Sequence, residues 1–276
     1  MIRILGPGDE DALEAFLAPR ADTSMFLRSN SRRAGLVDRG EPMQATYAAL
    51  IDGGRIAAVV AHCWNGILLV QAPRKLAGVA HAAIDASGRP LKGITGPADQ
   101  VRTARDVLGV RKPALDDVDA LFSLDLAALR PPEALARLSL RPPREEELGL
   151  VVGWREQYLV ETGLALPGPT LHDDARSGID QLHAQGDHWV LEEDGAPVAY
   201  TAFNARLPDI VQVGGVWTPP PLRGRGYARC AVAGSLLLAR AAGARRAILF
   251  TSSGNAARAY EAIGFMETGK YGLLIT

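Results

Sequence analysis

Arg223-Gly224-Arg225-Gly226-Tyr227-Ala228 separates an apolar stretch that ends at Trp217 from an amphipathic pattern that continues to about Ala242. Two closely spaced glycines between a strand and a helix permit a tight turn and bring backbone N–H groups close to a ligand. The first N–H groups of the helix and its positive dipole end point to the same place. The two arginines can add charge-assisted hydrogen bonds to phosphate oxygens. The segment therefore predicts a diphosphate site.

This segment resembles the acetyl-CoA signature of the GNAT superfamily of N-acetyltransferases, R/Q-x-x-G-x-G/A, and reads R-x-x-G-x-A here. Val216-Trp217-Thr218-Pro219-Pro220 upstream and Tyr260-Glu261-Ala262-Ile263-Gly264-Phe265 downstream strengthen the resemblance, which covers roughly residues 188–276. The alternative is a glycine-rich surface turn with solvated arginines. The resemblance implies that acetyl-CoA is the cosubstrate and that its contacts come from Val216, Trp217, Thr218, Arg223, Gly224, Arg225, Gly226, Tyr227 and Ala228.

The strand before this loop contains Gly214-Gly215, and glycines inside a strand often mark a bulge or a close backbone approach. In the family, this strand splays from its neighbour and leaves backbone N–H groups free to polarise the thioester carbonyl. The resemblance implies the same arrangement here. Val216, Trp217 and Thr218 would then line the pantetheine arm through main-chain hydrogen bonds, with no side-chain chemistry required of them.

The resemblance also assigns candidate catalytic residues. Tyr260 matches the family tyrosine near the sulfur and is the candidate acid for the leaving thiolate; the alternative is an aromatic residue packed in the core. The family has no fixed base. Glu161 is the first candidate, since it shares a helical face with Tyr158 at i, i+3, and its alternative is a solvated glutamate near a helix end.

One departure from the family concerns the residue seven positions before the tyrosine. Family members often carry an asparagine there that contacts the cofactor, whereas this chain carries Ser253. Asn255 is five positions before Tyr260. Either residue can supply the polar contact, and the sequence favours Asn255 as the N-cap of the following helix.

The order of strands, turns and helices occurs twice along the chain. We predict an α/β protein of two tandem GNAT-like domains, each a mixed, mostly antiparallel sheet flanked by helices. The predicted boundaries are residues 1–130, a linker at 131–143 that includes a first strand, and an acetyl-CoA-binding domain at 138–276. The first copy has Arg74-Lys75-Leu76-Ala77-Gly78-Val79 in the loop register and Arg105 in the register of Tyr260. It therefore resembles a degenerate repeat that does not bind the cofactor.

Composition limits the other possibilities. The net charge is −1, which does not favour a nucleic-acid partner or a membrane-binding patch. The two cysteines lie far apart, and the five histidines show no metal spacing, so no metal is expected. His188 begins a strand, which is compatible with a structural role. A cytoplasmic location is the default expectation, and a homodimer is compatible with the sequence.

These observations predict an N-acetyltransferase that joins acetyl-CoA and a primary amine in a ternary complex. The acceptor is a small-molecule or peptide amine that the sequence does not identify. Residues 163–178 are rich in Gly, Pro, Asp and Thr and are interpreted as a loop that shapes the acceptor pocket. The alternative from another class is a non-catalytic acyl-CoA-binding or regulatory module.

Overall fold

The computed structural model describes residues 1–276, which form two compact units. Unit 1 comprises Met1–Leu121 together with Gly269–Thr276, and unit 2 comprises Phe122–Thr268. These bounds differ from those predicted, because the end of the chain belongs to unit 1 and the segment after Leu121 belongs to unit 2. Periodicity identifies a strand but does not identify the sheet that the strand joins.

Unit 1 begins with a strand and two helices that precede a β-meander. Its elements are β1 (Ile2–Ile4), α1 (Glu10–Leu17), α2 (Ala21–Ala34), β2 (Ala45–Asp52), β3 (Arg55–Cys63), β4 (Ile67–Gln71), α3 (Leu76–Ser87), β5 (Gly93–Pro97), α4 (Ala98–Val107) and β6 (Leu115–Asp125), whose last residues lie in unit 2. Strands β1 to β4 pair antiparallel, and β5 is parallel to β4. Helices α1 and α2 pack on one face of this sheet, and α3 and α4 pack on the other.

Unit 2 has the same order of elements. They are β7 (Ser139–Arg141), α5 (Leu148–Glu161), α6 (Leu171–Gln185), β8 (His188–Glu193), β9 (Ala196–Arg206), β10 (Ile210–Trp217), α7 (Tyr227–Ala241), β11 (Arg246–Thr251), α8 (Gly254–Glu261) and β12 (Met266–Ile275), of which only the first three residues lie in unit 2. Strands β7 to β10 pair antiparallel, and β11 is parallel to β10. Helices α5 and α6 cover one face of the sheet, and α7 covers the other.

The last strand completes the sheet of unit 1. Residues Tyr271 to Ile275 of β12 pair antiparallel with Pro97 to Gly93 of β5. The contact is close, because a Cβ atom at Gly93 would lie 2.5 Å from the carbonyl oxygen of Leu274. A fragment that ends near residue 130 would therefore lack one strand of its own sheet.

The repeated order confirms the prediction of two copies of one fold. The predicted loop at residues 163–178 is wrong in its second half, because α6 begins at Leu171. Asp173 and Asp174 lie in the first turn of α6, where carboxylates suit the helix dipole. The glycine and the polar residues that suggested a loop are accommodated because α6 packs on α5 and the sheet through Ala175 and Ile179.

No helix is long and apolar enough to cross a membrane. No group of three His, Cys, Asp or Glu side chains is placed to hold a metal ion. Both cysteines are buried free thiols, and burial raises the pKa of each.

Candidate active site

Strand β10 separates from β11 part-way along its length. The parallel pairing runs from Ile210 opposite Arg246 to Gln212 opposite Ile248 and ends there. On the other side, the register with β9 shifts after Gln212 and again after Gly214. Gly215 has φ +61°, a conformation that favours glycine. The bulge predicted from the glycine pair is confirmed, and backbone groups of β10 beyond it have no partner strand on the side of β11.

The glycine loop has the geometry of an anion site. Gly224 and Gly226 have φ +81° and +83°, and α7 begins immediately after Gly226. A Cβ atom at Gly224 would meet nothing within 4 Å, so the space beside that glycine is open. The turn therefore exposes the first N–H groups of α7 beside a cationic loop.

Arg229 lies beside the loop and is not among the predicted cofactor contacts. Its Nη2 lies 3.2 Å from the position of a Cβ atom at Gly226, and its buried Nε has no hydrogen-bond partner. A third arginine thus lies against the loop from inside the first turn of α7. Arg229 follows Gly226 by three residues, so both lie at the same end of the helix. This spacing is the sequence signal that could have identified Arg229 as a residue beside the loop.

Arg223 links the loop to the strand and to the candidate base. Its guanidinium carbon lies 4.7 Å from the centre of the Trp217 ring, and its Nε donates a hydrogen bond to the Thr218 carbonyl at 3.0 Å. Its Nη2 donates to Glu161 Oε2 at 2.9 Å. The tertiary structure therefore brings the predicted base and the predicted phosphate ligand together in one ion pair.

Several polar atoms beside the split strand are buried without a hydrogen-bond partner. They are Gln212 Oε1, Trp217 Nε1 and Thr218 Oγ1. Such orphaned atoms are uncommon in folded proteins and usually mark a place where a ligand or water binds. Trp217 and Thr218 are two of the predicted cofactor contacts, and their unpaired side-chain atoms can form hydrogen bonds with a ligand at the end of β10.

Two members of the predicted loop contribute differently. The Tyr227 hydroxyl donates to Glu193, and the Tyr227 ring packs with Leu191 and Cys230. Its side chain therefore anchors α7 to the sheet, and only its backbone N–H is available at the helix start. Ala228 follows in the first turn of α7, and its small side chain leaves that turn accessible.

Tyr260 lies on α8 and is buried, with its ring 6.1 Å from that of Phe265. Burial, together with the nearby Tyr158, raises the pKa of the Tyr260 hydroxyl well above its usual value. The hydroxyl therefore stays protonated at neutral pH, as a proton donor must. Its proximity to Tyr158 also connects it to α5, the helix that carries Glu161.

The helix cap before Tyr260 differs from the prediction. Ser253, not Asn255, caps α8, because its Oγ accepts a hydrogen bond from Ala256 N at 3.4 Å. The Asn255 side chain instead accepts from Arg258 within the first turns of the helix. The prediction that Asn255 is the cap is wrong, because α8 begins at Gly254, two residues earlier than the periodicity indicates.

The family comparison agrees with this geometry. Residues 152–265 match the family model described as Acetyltransferase (GNAT) family. These residues therefore have the sequence features of a GNAT acetyltransferase domain. The matched range contains the split strand, the glycine loop and Tyr260.

The similarity in fold to solved GNAT structures covers the whole chain. A tandem GNAT protein from the clavulanic acid biosynthesis pathway is 15% identical, with 100% of this chain and 98% of that chain covered and a TM-score of 0.59. A GNAT-family acetyltransferase from Colwellia psychrerythraea is 15% identical, with both chains covered fully and a TM-score of 0.54. A GNAT protein from Sphaerobacter thermophilus is 16% identical over 100% and 95% of the two chains, with a TM-score of 0.58. A search of curated proteins found no match.

Unit 1 has the GNAT fold with a different loop. Lys75, with φ +54°, precedes α3 where Gly226 precedes α7, so a side chain replaces the glycine hydrogen at the helix start. The backbone N–H of Ala72, just beyond β4, donates to Gln100 Oε1 at 2.6 Å. Arg105, in the register of Tyr260, pairs with Asp116. In unit 1 the Gln100 side chain thus binds a backbone N–H group of the kind that binds the cofactor in the family.

Proposed function

We propose that unit 2 transfers an acetyl group from acetyl-CoA to a primary amine of a small-molecule or peptide acceptor. The observation that carries this proposal is the separation of β10 from β11 after Gln212, directly before a loop whose two glycines have positive φ. A split strand offers backbone donors for an acyl and amide chain, and the loop offers donors for a diphosphate.

The residues on the two sides of the split suit the parts of the cosubstrate. Acetyl-CoA supplies a thioester whose carbonyl carbon accepts the amine. Val216, Trp217 and Thr218 would bind its amide-containing arm, and Arg223, Arg225 and Arg229 would offset the phosphate charge around the backbone of Gly224 and Gly226. Ser253 and Asn255 remain proposed polar contacts at the start of α8.

Tyr260 is the proposed acid. Burial raises the pKa of the Tyr260 phenol and keeps it protonated at neutral pH, so Tyr260 has a proton to donate to a thiolate that leaves beside it. The positive charge of Arg223 and the backbone donors of β10 stabilise negative charge nearby without accepting protons. Among the proposed site residues, only Tyr260 therefore donates a proton to the leaving thiolate.

Direct attack in a ternary complex is favoured over an acyl-enzyme. Cys230, the cysteine of unit 2, packs in the core between α7 and the sheet, and burial raises the pKa of its thiol. A buried thiol with a raised pKa is a poor nucleophile at neutral pH. The amine must therefore attack the thioester itself.

The experiment is a calorimetric titration of the full chain with acetyl-CoA, followed by a thiol-release assay with a panel of primary amines. We expect one bound acetyl-CoA per chain, because unit 1 lacks the glycine loop, and CoA release only when an accepted amine is present. Binding without release for any amine would support the alternative, a non-catalytic acyl-CoA-binding module. Absence of binding would contradict both.

The role of Glu161 as base stays a prediction, and Glu161→Gln tests it. In the structure the carboxylate is engaged by Arg223 at 2.9 Å and must leave this partner before it can take a proton. If Glu161 is the base, the variant should lower kcat by about 100-fold. If Glu161 only neutralises Arg223 in the free protein, kcat should stay near the wild-type value while the Kd for acetyl-CoA falls by a few-fold, about 1 kcal/mol or less.

A further inference from the structure

Four polar side chains form a continuous chain under α5 and α6, from the surface to the bulge of β10. His188 Nδ1 lies 3.2 Å from the Tyr200 hydroxyl, and His188 Nε2 lies 3.1 Å from His183 Nδ1. His183 Nε2 lies 3.2 Å from Glu145 Oε1. We call these four residues the polar chain. Sequence reasoning assigned His188 no role beyond structure and did not connect it to the other three.

The polar chain has a buried end and an exposed end. Tyr200 and His188 are 3% and 1% exposed, whereas the Glu145 side chain is 81% exposed. At the buried end, a Cβ atom at Gly215 would lie 3.5 Å from Tyr200 Cε1. The inner end therefore lies against the bulge of β10, where the backbone departs from its partner strand.

The hydrogen-bonding capacities fix one direction through the polar chain. A carboxylate only accepts, so His183 donates to Glu145 from Nε2, and a neutral His183 ring then accepts at Nδ1. His188 then donates from Nε2 and accepts at Nδ1, and the Tyr200 hydroxyl donates to it. Every donor thus points outward, towards solvent. This is the arrangement that passes a proton from Tyr200 to Glu145.

The surroundings of His188 keep this member of the polar chain neutral. Burial, with repulsion from His183, lowers the pKa of His188 to about 4, so His188 is neutral at neutral pH. Arg155 faces Tyr200 from α5, with its Nη1 3.3 Å from the same Cβ position at Gly215. Asp187, which precedes His188, is held by Arg206 at 2.9 Å.

We propose that Tyr200, His188, His183 and Glu145 conduct the proton that the ammonium form of the acceptor loses before it attacks. This inference rests on the proposed function and makes Tyr200, in place of Glu161, the first acceptor of that proton. The amine N–H bond breaks as an O–H bond forms on Tyr200, whose own proton moves to His188 Nδ1. The Nε2 proton of His188 moves to His183 Nδ1, and the Nε2 proton of His183 moves to Glu145, which releases it to water.

The proton count requires such an exit. An ammonium and a thioester give an amide, a thiol and one free proton. Tyr260 returns one proton to the thiolate and regains one from the nitrogen, so its net contribution is zero. The remaining proton must reach solvent, and the polar chain joins the bulge to the surface without an oxidant, a reductant or a further reactant.

The variants Tyr200→Phe and His188→Gln test the relay in the full-length protein. Each keeps the approximate shape of the side chain but cannot pass a proton. We expect kcat with an accepted amine to fall by about 10- to 100-fold at neutral pH. The difference from wild type should close near about pH 10, where a primary amine loses its proton unaided. The Kd for acetyl-CoA should change by less than about twofold, since neither residue belongs to the cofactor site.

His172→Gln is the matched control. Like His183, His172 lies on α6 and pairs with a glutamate, Glu156, at 2.6 Å, but it does not belong to the polar chain. This variant should keep the wild-type pH profile. A wild-type kcat in Tyr200→Phe and His188→Gln, or a loss of the same size at every pH, would overturn the relay.

A measurement on the free protein separates the relay from the proposed function. Histidine ¹⁵N chemical shifts at neutral pH should identify His183 and His188 as neutral tautomers protonated at Nε2. A proton on Nδ1 of either ring, or a cationic His183, would reverse the direction and overturn the relay even if acetyl transfer occurs. Acetyl-CoA binding without transfer to any amine would overturn the proposed function, whatever the tautomers are.

Discussion

Gly226→Val should abolish acetyl-CoA binding by the full-length protein. Gly226 has φ +83° at the start of α7, a conformation that a β-branched residue rarely adopts. The added side chain would also meet Arg229 Nη2, 3.2 Å from the Cβ position, in the space beside the first N–H groups of the helix. Loss of two charge-assisted hydrogen bonds at about 1.5–3 kcal/mol each lowers affinity by at least about 100-fold. Calorimetric titration measures this loss.

Backbone strain alone must be separated from loss of the site. Gly195, in the turn between β8 and β9, has the same φ of +83° and nothing within 4 Å of its Cβ position. Gly195→Val should therefore incur similar strain, about 1–2 kcal/mol, and lower the melting temperature without weakening acetyl-CoA binding. Retained affinity in Gly226→Val would reject the glycine loop as the diphosphate site.

Tyr260→Phe should lower kcat for acetyl transfer by about 100-fold or more and leave the Kd for acetyl-CoA nearly unchanged. The ring of Tyr260 packs near Phe265, and phenylalanine preserves this packing. Only the hydroxyl group is lost, and burial keeps its proton on the oxygen at neutral pH in the wild-type protein. Steady-state kinetics together with calorimetry separate the chemical effect from binding.

Tyr47→Phe is the control for the removal of a buried hydroxyl. Tyr47 is fully buried in unit 1, where its hydroxyl donates a long hydrogen bond to Leu27 O at 3.4 Å. Its loss should lower stability slightly and leave kcat unchanged. A wild-type kcat in Tyr260→Phe would exclude Tyr260 as the acid, and the thiolate would then have to be protonated by water.

The polar chain and the acid assign the two proton transfers to different elements of unit 2. Tyr260 is carried by α8, whereas His183 and Glu145 belong to α6 and to the segment before α5. Because the two sets share no residue, their variants should differ in pH dependence. The defect in Tyr260→Phe should persist at high pH, and the defect in His188→Gln should not.

Local signals were sufficient wherever a residue's neighbours in sequence are also its neighbours in space. The glycine loop, the bulge at Gly214-Gly215 and the order of strands and helices follow from backbone preferences and periodicity. Helix α6 was missed in part because its Gly and Asp residues favour turns locally. Packing of Ala175 and Ile179 against the sheet outweighs that preference.

By itself, the sequence determined two copies of one α/β fold and placed the glycine loop in the second copy, because periodicity and glycine positions are local properties. Only the tertiary structure decided that β12 completes the sheet of unit 1, that Ser253 caps α8 and that Glu161 pairs with Arg223. The same holds for the polar chain from Glu145 to Tyr200. Apart from the helix cap, each of these features joins residues that are far apart in the sequence, either by strand pairing or by contacts between side chains. Such contacts leave no periodic pattern in the sequence.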